Sequence, residues 1–212
     1  VIGLAGSQRT GKSTLAKAYA EESGVKFIAT GASATFARLG LDPKKDYDFP
    51  TRLRTQREIL ADCDRLYDSA GVRFITDRTP IDFLGYTLAD VTRENVRENV
   101  RGKLEVELQR YVDDCYACAN KHFTVLILVQ PGIALVEAEG KAPASPSYMS
   151  HLNALMLGLM ADEALQADHY KIPRRAIELE IRISAVEEAV RKSAQRHVAK
   201  MERLHEDGLV LH

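Results

Sequence analysis

The sequence predicts an α/β fold: an open parallel sheet of about five strands with helices on both faces. Three observations lead there. Short apolar runs alternate with longer stretches of helical periodicity, the pattern of strand–helix–strand units with right-handed crossovers. The runs are continuously apolar rather than alternating, as strands covered on both faces require. The first run passes directly into a glycine-framed loop, and the third ends in Asp77 and Arg78. Such sheets collect their ligand groups at the carboxyl ends of the strands.

Residues 1–5 (VIGLA) form the first predicted strand, and the periodicity of 12–23 predicts the helix after it. The second strand is 25–29 (VKFIA), followed by a helix over 52–70. The third strand is 72–76 (VRFIT), with helices over 81–89 and 95–120 behind it. The fourth, 124–129 (TVLILV), is the most hydrophobic; a helix over 150–166 and a weaker fifth strand, 169–172 (HYKI), follow. The tail, 181–206, predicts one long amphipathic helix. Val186, Val190, Ala194, Val198, Met201 and Leu204 form its stripe, and Glu187, Glu188, Arg191 and Lys192 fill its other face. That stripe fits against the sheet or against a second copy, so a homodimer stays open. Segments 40–50 and 132–150 each carry two prolines and read as long loops, which in compact domains are often functional; the second is a candidate lid. With no internal repeat or linker, 1–212 reads as a single domain.

Composition narrows the function. The 212 residues include 29 Lys plus Arg and 30 Asp plus Glu, so the chain is not a strongly basic nucleic-acid binder. Any contact with DNA must come from a local patch. The densest is Lys44, Lys45, Arg52, Arg54 and Arg57, which contacts phosphates if it shares a face and is otherwise a solvated helix surface. Arg97, Arg101 and Arg110 read the same two ways. No apolar run approaches the ~18–20 residues that span a bilayer, and no secretory pattern is seen. Three cysteines, Cys63, Cys115 and Cys118, do not make a disulfide framework, and the C-x-x-C of the last two lacks a second ligand pair for zinc. They are expected to be ordinary thiols in a reducing, cytoplasmic setting.

The chemistry lies in Gly6-Ser7-Gln8-Arg9-Thr10-Gly11-Lys12-Ser13, which matches G-x-x-x-x-G-K-[ST] between a strand and a helix. The glycines let successive N–H groups, including those around Arg9 and Thr10, turn inward, and the helix N-terminus adds partial positive charge. Lys12 brings a point charge to the β- and γ-phosphates, and Ser13 a hydroxyl to Mg²⁺. The fold is therefore expected to be of the P-loop NTPase type, binding a nucleoside triphosphate. Asp77 is placed to hold Mg²⁺ through water or to take a proton from an acceptor hydroxyl, and Arg78 to hold the acceptor or the moving phosphate. The alternative for Asp77 is a cap for the helix near Pro80. Asp82, one turn on, reads as an acceptor-site carboxylate or a first-turn helix charge. At the end of the second strand, Thr30 and the small residues after it leave room for an acceptor. Phe36 there suits base stacking or the core, and Arg38 suits an acceptor phosphate or solvent.

Asn120-Lys121-His122-Phe123 lacks the Asp of a guanine-reading N-K-x-D and precedes its strand, which argues against a switch GTPase. GSQRTGKSTLAKAYAEESG, TGASATFARLGLDP and FITDRTPIDFLGYTLAD together resemble the phage-encoded P-loop kinases that phosphorylate 5-hydroxymethyluracil in DNA, a step toward hypermodified thymines. Deoxynucleoside monophosphate kinases are the broader relatives. The resemblance covers roughly residues 1–90; DRTPID is the part that narrows it. It implies ATP and Mg²⁺ as cofactors, modified DNA as acceptor, and the host cytoplasm as location. It also implies Lys12, Ser13 and Thr14 on the donor, Thr14 at the α-phosphate, and Asp77 as base. One departure is that 132–150 carries Lys141 and no lid arginine; Arg174 and Arg175, after the fifth strand, are placed to substitute or to contact adenine. Two other readings remain: a kinase of free deoxynucleoside monophosphates or nucleosides, and a non-catalytic nucleotide-binding module.

Overall fold

The computed structural model describes residues 1–43, 45–91, 101–134 and 145–206, with side chains through 203. Five parallel strands form one sheet in the order β2-β3-β1-β4-β5. They are β1 (Ile2–Ala5), β2 (Lys26–Ile28), β3 (Phe74–Thr76), β4 (Val125–Val129) and β5 (Asp168–Ile172). The helices are α1 (Lys12–Ser23), α2 (Ala32–Arg38), α3 (Phe49–Ala70), α4 (Pro80–Val91), α5 (Lys103–His122), α6 (Pro146–Met160) and α7 (Leu179–Glu206).

The unbroken apolar strands sort by parity onto two cores. On one face Ile2, Leu4, Val125, Ile127 and Val129 meet Leu15, Ala16 and Tyr19 of α1 and Ile183, Val186 and Ala189 of α7. On the other, Ala5, Phe74, Leu126 and Leu128 meet Leu53, Cys63 and Tyr67 of α3, Leu84 of α4, Tyr111 and Cys115 of α5, and Met156 of α6. Central β1 is buried throughout, so the loop it feeds leaves from the middle of the sheet. Gly3 is required there: a Cβ would come within 2.6–2.8 Å of Leu126, Thr79 and Phe123.

The elements depart from the sequence reading in five places, one being that α5 starts at Lys103, after Gly102 at φ 58°, inside the span 95–120 read as one helix. A short helix, α2, stands where 30–38 reads as a strand-end loop. Helix α3 starts at Phe49 rather than at 52, because Asp48 Oδ1 accepts from the Thr51 N–H at 2.9 Å and Pro50 suits the first turn. Helix α6 occupies 146–160 rather than 150–166. Ser145 caps its start, and after Met160 the chain turns, with Asp162 accepting from the Ala164 N–H and Asn120 from the Gln166 N–H. The long C-terminal helix forms, but only its first half is covered: Val186 is buried, whereas Val198 and Met201 are 57% and 54% exposed.

All three cysteines are free and buried, and burial pushes the Cys63 and Cys118 thiols up to about 12. No helix among the described residues is long and apolar enough to cross a membrane. Lys44, Arg97, Lys141, the side chain of Leu204 and most of the candidate lid lie outside the described residues.

Candidate functional site

The glycine-framed loop closes over the end of β1. Gly6 and Gly11 take φ of 145° and 76°, which glycine adopts without strain, and Arg9 follows at 60°. A Cβ on Gly6 would also lie 2.6 Å from the Val129 carbonyl oxygen. The turn is fixed from inside: Thr10 Oγ1 donates to the Ser7 carbonyl at 3.0 Å, and Lys12 Nζ donates to the Gly6 and Ser7 carbonyls at 2.6 and 2.7 Å.

Lys12 is buried, and burial outweighs its acidic neighbours to bring its pKa down to about 8. Its nearest carboxylate is Asp82, whose Oδ1 lies 4.0 Å away. Asp82 is not on an acceptor cavity. It is fully buried beneath the loop, accepting from the Gly6 N–H at 3.0 Å and from the N–H and Oγ1 of Thr79 at 2.9 and 2.7 Å. Burial pushes its carboxyl up, against the pull of Lys12 and Arg78. Its first-turn place on α4 aims it back under β1, which spacing alone does not show.

Asp77 and Arg78 leave β3 at the carboxyl edge, beside the loop. Ser13 Oγ donates to Asp77 Oδ2, so a hydroxyl and a carboxylate oxygen stand together at the start of α1. With Gln8, Arg9, Thr10, Gly11, Lys12, Thr14 and Ser33, both line a cavity of about 600 Å³ together with Arg78. The paired hard oxygens suit Mg²⁺, which takes few protein ligands and keeps its remaining positions for water and phosphate. Arg78 is anchored at its backbone, where its carbonyl accepts from Tyr67 Oη at 3.0 Å. Its guanidinium lies 5.5 Å from the centre of the Tyr86 ring.

Tyr86 opens a second cavity, of about 230 Å³, with Phe36, Lys45, Arg52, Thr55, Gln56, Asp90 and Tyr148 among its walls. Arg52 and Gln56 sit one turn apart on α3, and Arg52 pairs with Asp90 of α4 at 3.4 Å. Arg52 Nε and Gln56 Oε1 are buried without a hydrogen-bond partner, while the Tyr86 hydroxyl is engaged by Arg78 and the Gln8 backbone. Two such atoms around one hollow mark a place for a polar ligand.

Of the residues singled out from sequence, Arg9, Thr10, Gly11, Lys12, Ser13, Thr14, Asp77 and Arg78 converge on the first cavity, and Phe36 reaches the second. Thr30 lines neither, and its Oγ1 is buried without a partner. Arg38 is held outside by Glu58 and Asp62 at 2.9 and 2.8 Å. Arg174 and Arg175 are exposed. Gln56, Tyr86, Asp90 and Tyr148 were not legible as site residues; the one signal was the i, i+4 pairing of Arg52 with Gln56.

No protein-family model matches the sequence, and no curated protein matches it. Among solved structures, it is similar to deoxyadenosine kinase from M. mycoides with bound dCTP. The TM-score is 0.60 at 12% identity, over 90% of this chain and 98% of that one. The same enzyme with dCMP and a flexible dCDP gives 0.59 at 16% identity over the same shares. Thymidylate kinase from Candida albicans gives 0.52 at 14% identity, over 91% of each chain. The chain thus has the fold of the P-loop nucleoside and nucleotide kinases, with helices on both faces of a five-stranded parallel sheet.

Proposed function

We propose that the protein transfers the γ-phosphoryl group of ATP to the hydroxymethyl oxygen of 5-hydroxymethyluracil in DNA. The observation that carries a phosphotransferase is the adjacency of two cavities: a phosphate cradle with Lys12, Ser13, Asp77 and Arg78, and a polar hollow reached through the Arg78–Tyr86 contact.

In this reading the loop N–H groups and Lys12 hold the β- and γ-phosphates, and Thr14 faces the α-phosphate. Mg²⁺, bound with ATP near Ser13 and Asp77, supplies neutralising charge. Asp77 receives the acceptor's proton late in transfer, since a hydroxymethyl proton is too tightly held to leave first. Arg78 stabilises charge on the group in flight. Gln56 Oε1 accepts from an imide N–H, Arg52 Nε donates to a base carbonyl, and Phe36 packs on the ring.

A polymeric acceptor is supported by the sequence resemblance and by Arg54 and Arg57, which line a neighbouring groove of about 520 Å³ on α3. A base in DNA must then leave the stack to enter the hollow. One observation favours the second reading, a kinase of free nucleotides or nucleosides. Glu58 and Glu107 share that groove with the two arginines, which weakens its attraction for a phosphate backbone.

The test is transfer of label from γ-³²P-ATP with Mg²⁺ to duplex DNA containing 5-hydroxymethyluracil and, in parallel, to free nucleotides and nucleosides. Label in DNA alone is expected. Label only in small molecules moves the acceptor to the free pool, and ATP binding without transfer to either leaves a nucleotide-binding module. Lys12→Ala is expected to abolish transfer, and Asp77→Asn to spare ATP binding while removing transfer. Near-normal transfer by Asp77→Asn removes Asp77 from the role of base.

A further inference from the structure

Arg182 lies near the start of α7, far in sequence from every motif, yet it reaches the phosphate loop. Its side chain is 3% exposed, and Nη2 donates to the carbonyl of Thr10. Its Nη1 lies 2.8 Å from where a Cβ on Gly11 would stand, with Ile133 Cδ1 at 3.0 Å, so only glycine fits between the loop and this side chain. Its Nε is buried with no hydrogen-bond partner. Among the described residues no carboxylate forms an ion pair with it, whereas Lys12, the other cation under the loop, has Asp82 nearby. Burial disfavours its charge, and that charge in turn helps lower the pKa of Lys12.

A buried, uncompensated guanidinium is costly in a folded chain unless an anion comes to it. Here the loop separates it from the donor cavity, which Gly11 lines on the other side. The two ends of a trans peptide point in opposite directions. A hydrogen bond from Arg182 to the Thr10 carbonyl therefore orients the Gly11 N–H away from Arg182, and polarises that N–H as a donor. We infer that Arg182 is a positioning residue for the donor triphosphate: it fixes the Thr10–Gly11 peptide, and its charge is compensated only when the phosphates are bound. The inference rests on reading the loop as an ATP site.

That assignment separates cleanly from a purely structural role, because the two predict opposite signs. The test is thermal unfolding with and without Mg·ATP, together with calorimetric ATP affinity, for the full chain and for Arg182→Met and Arg182→Lys. Arg182→Met keeps side-chain length and removes the charge. It is expected to melt at or above the wild-type temperature without nucleotide. Its Kd for ATP is expected to rise about ten- to a hundredfold, the range of one lost charge-assisted hydrogen bond, and its ATP-induced stabilisation to shrink. Arg182→Lys is expected to recover part of the affinity. A Met variant that melts lower, or fails to fold, while Arg182→Lys binds ATP like wild type overturns the inference. So does a folded Met variant with wild-type affinity. Absence of any ATP-induced shift in the wild-type protein overturns the donor-site reading itself, and is recognised before any variant is compared.

Discussion

Lys12 shows how one residue links burial to function. It is held among loop carbonyls and only loosely by Asp82, and burial brings its pKa down to about 8. Triphosphate oxygens favour the charged ammonium, so binding takes up a proton wherever the free side chain has lost one. ATP affinity is therefore expected to hold steady below pH 8 and to weaken above it, approaching about tenfold per pH unit. Isothermal calorimetry in buffers of different ionisation enthalpy reads this as proton uptake; affinity flat from pH 7 to 10 refutes it. The sign for folding is the reverse. The folded pKa lies below the ordinary lysine value, so the unliganded chain gains stability as pH rises from about 8 toward about 10.4. The places of Lys12, Ser13 and Asp77 on one cavity were legible because they depend on local spacing: a loop between strand and helix, and a carboxylate at a strand end. Asp82 and Arg182 were not. What they do depends on which element folds beneath the loop, and nothing within a few residues of either encodes that.

At the scale of elements, helix α3 carries the side of the molecule that we propose receives the acceptor. Its first two turns bear Arg52, Thr55 and Gln56, and its start is set by Asp48, whose carboxylate is held below the usual range by its hydrogen bonds with Thr51. Asp48→Ala removes that cap. The melting temperature is expected to fall by about 2–4 °C, the usual effect of one lost cap in a chain of this size. KM for the acceptor is expected to rise while KM for ATP stays put, because the donor loop is seated on β1 and α1. Asp48→Asn should restore both, and equal changes in the two KM values in the Ala variant refute the division of labour. Strands β1, β3 and β4 were legible since burial on both faces leaves only apolar choices; the edge strands β2 and β5 are partly exposed and carry polar residues, so their signal is weaker. The edges of the helices were not, because caps such as Asp48 and Ser145 act through side-chain geometry and look like ordinary loop residues. Helix α2 escaped notice for a related reason: seven residues, mostly small, are too few for a periodic stripe.

Across the whole molecule, chemistry and cohesion occupy opposite ends of the sheet. The carboxyl ends of β1 and β3 hold the loop and Asp77. Toward the amino ends, α3 is tied to the last turn of α5. His122 Nε2 lies 2.6 Å from Asp64 Oδ1, Lys121 donates to Asp64 and Asp68 at 3.0 and 2.9 Å, and Tyr67, Phe74 and Phe123 stack just beneath. Burial raises the Asp64 carboxyl, but the hydrogen bonds from His122 and Lys121 prevail and hold it below its usual range. A depressed carboxylate stabilises the fold above the unfolded value and loses that contribution as pH falls through the folded one. Asp64→Asn is therefore expected to lower the melting temperature at pH 7. The two proteins should begin to converge as pH drops below about 4, the unfolded value, and meet once it falls below the depressed value of the folded wild-type carboxylate. KM for ATP and for the acceptor should not move at pH 7, since neither cavity reaches this tie. A variant as stable as wild type at pH 7 would show that Lys121 and His122 find other partners. A changed KM would show instead that the helices transmit strain from one end of the sheet to the other. The packing gives reason to expect that KM stays put: α3 meets the second cavity with its first two turns, and Asp64 lies two turns beyond them, past the buried Ile59 and Leu60 that seat the helix on the sheet.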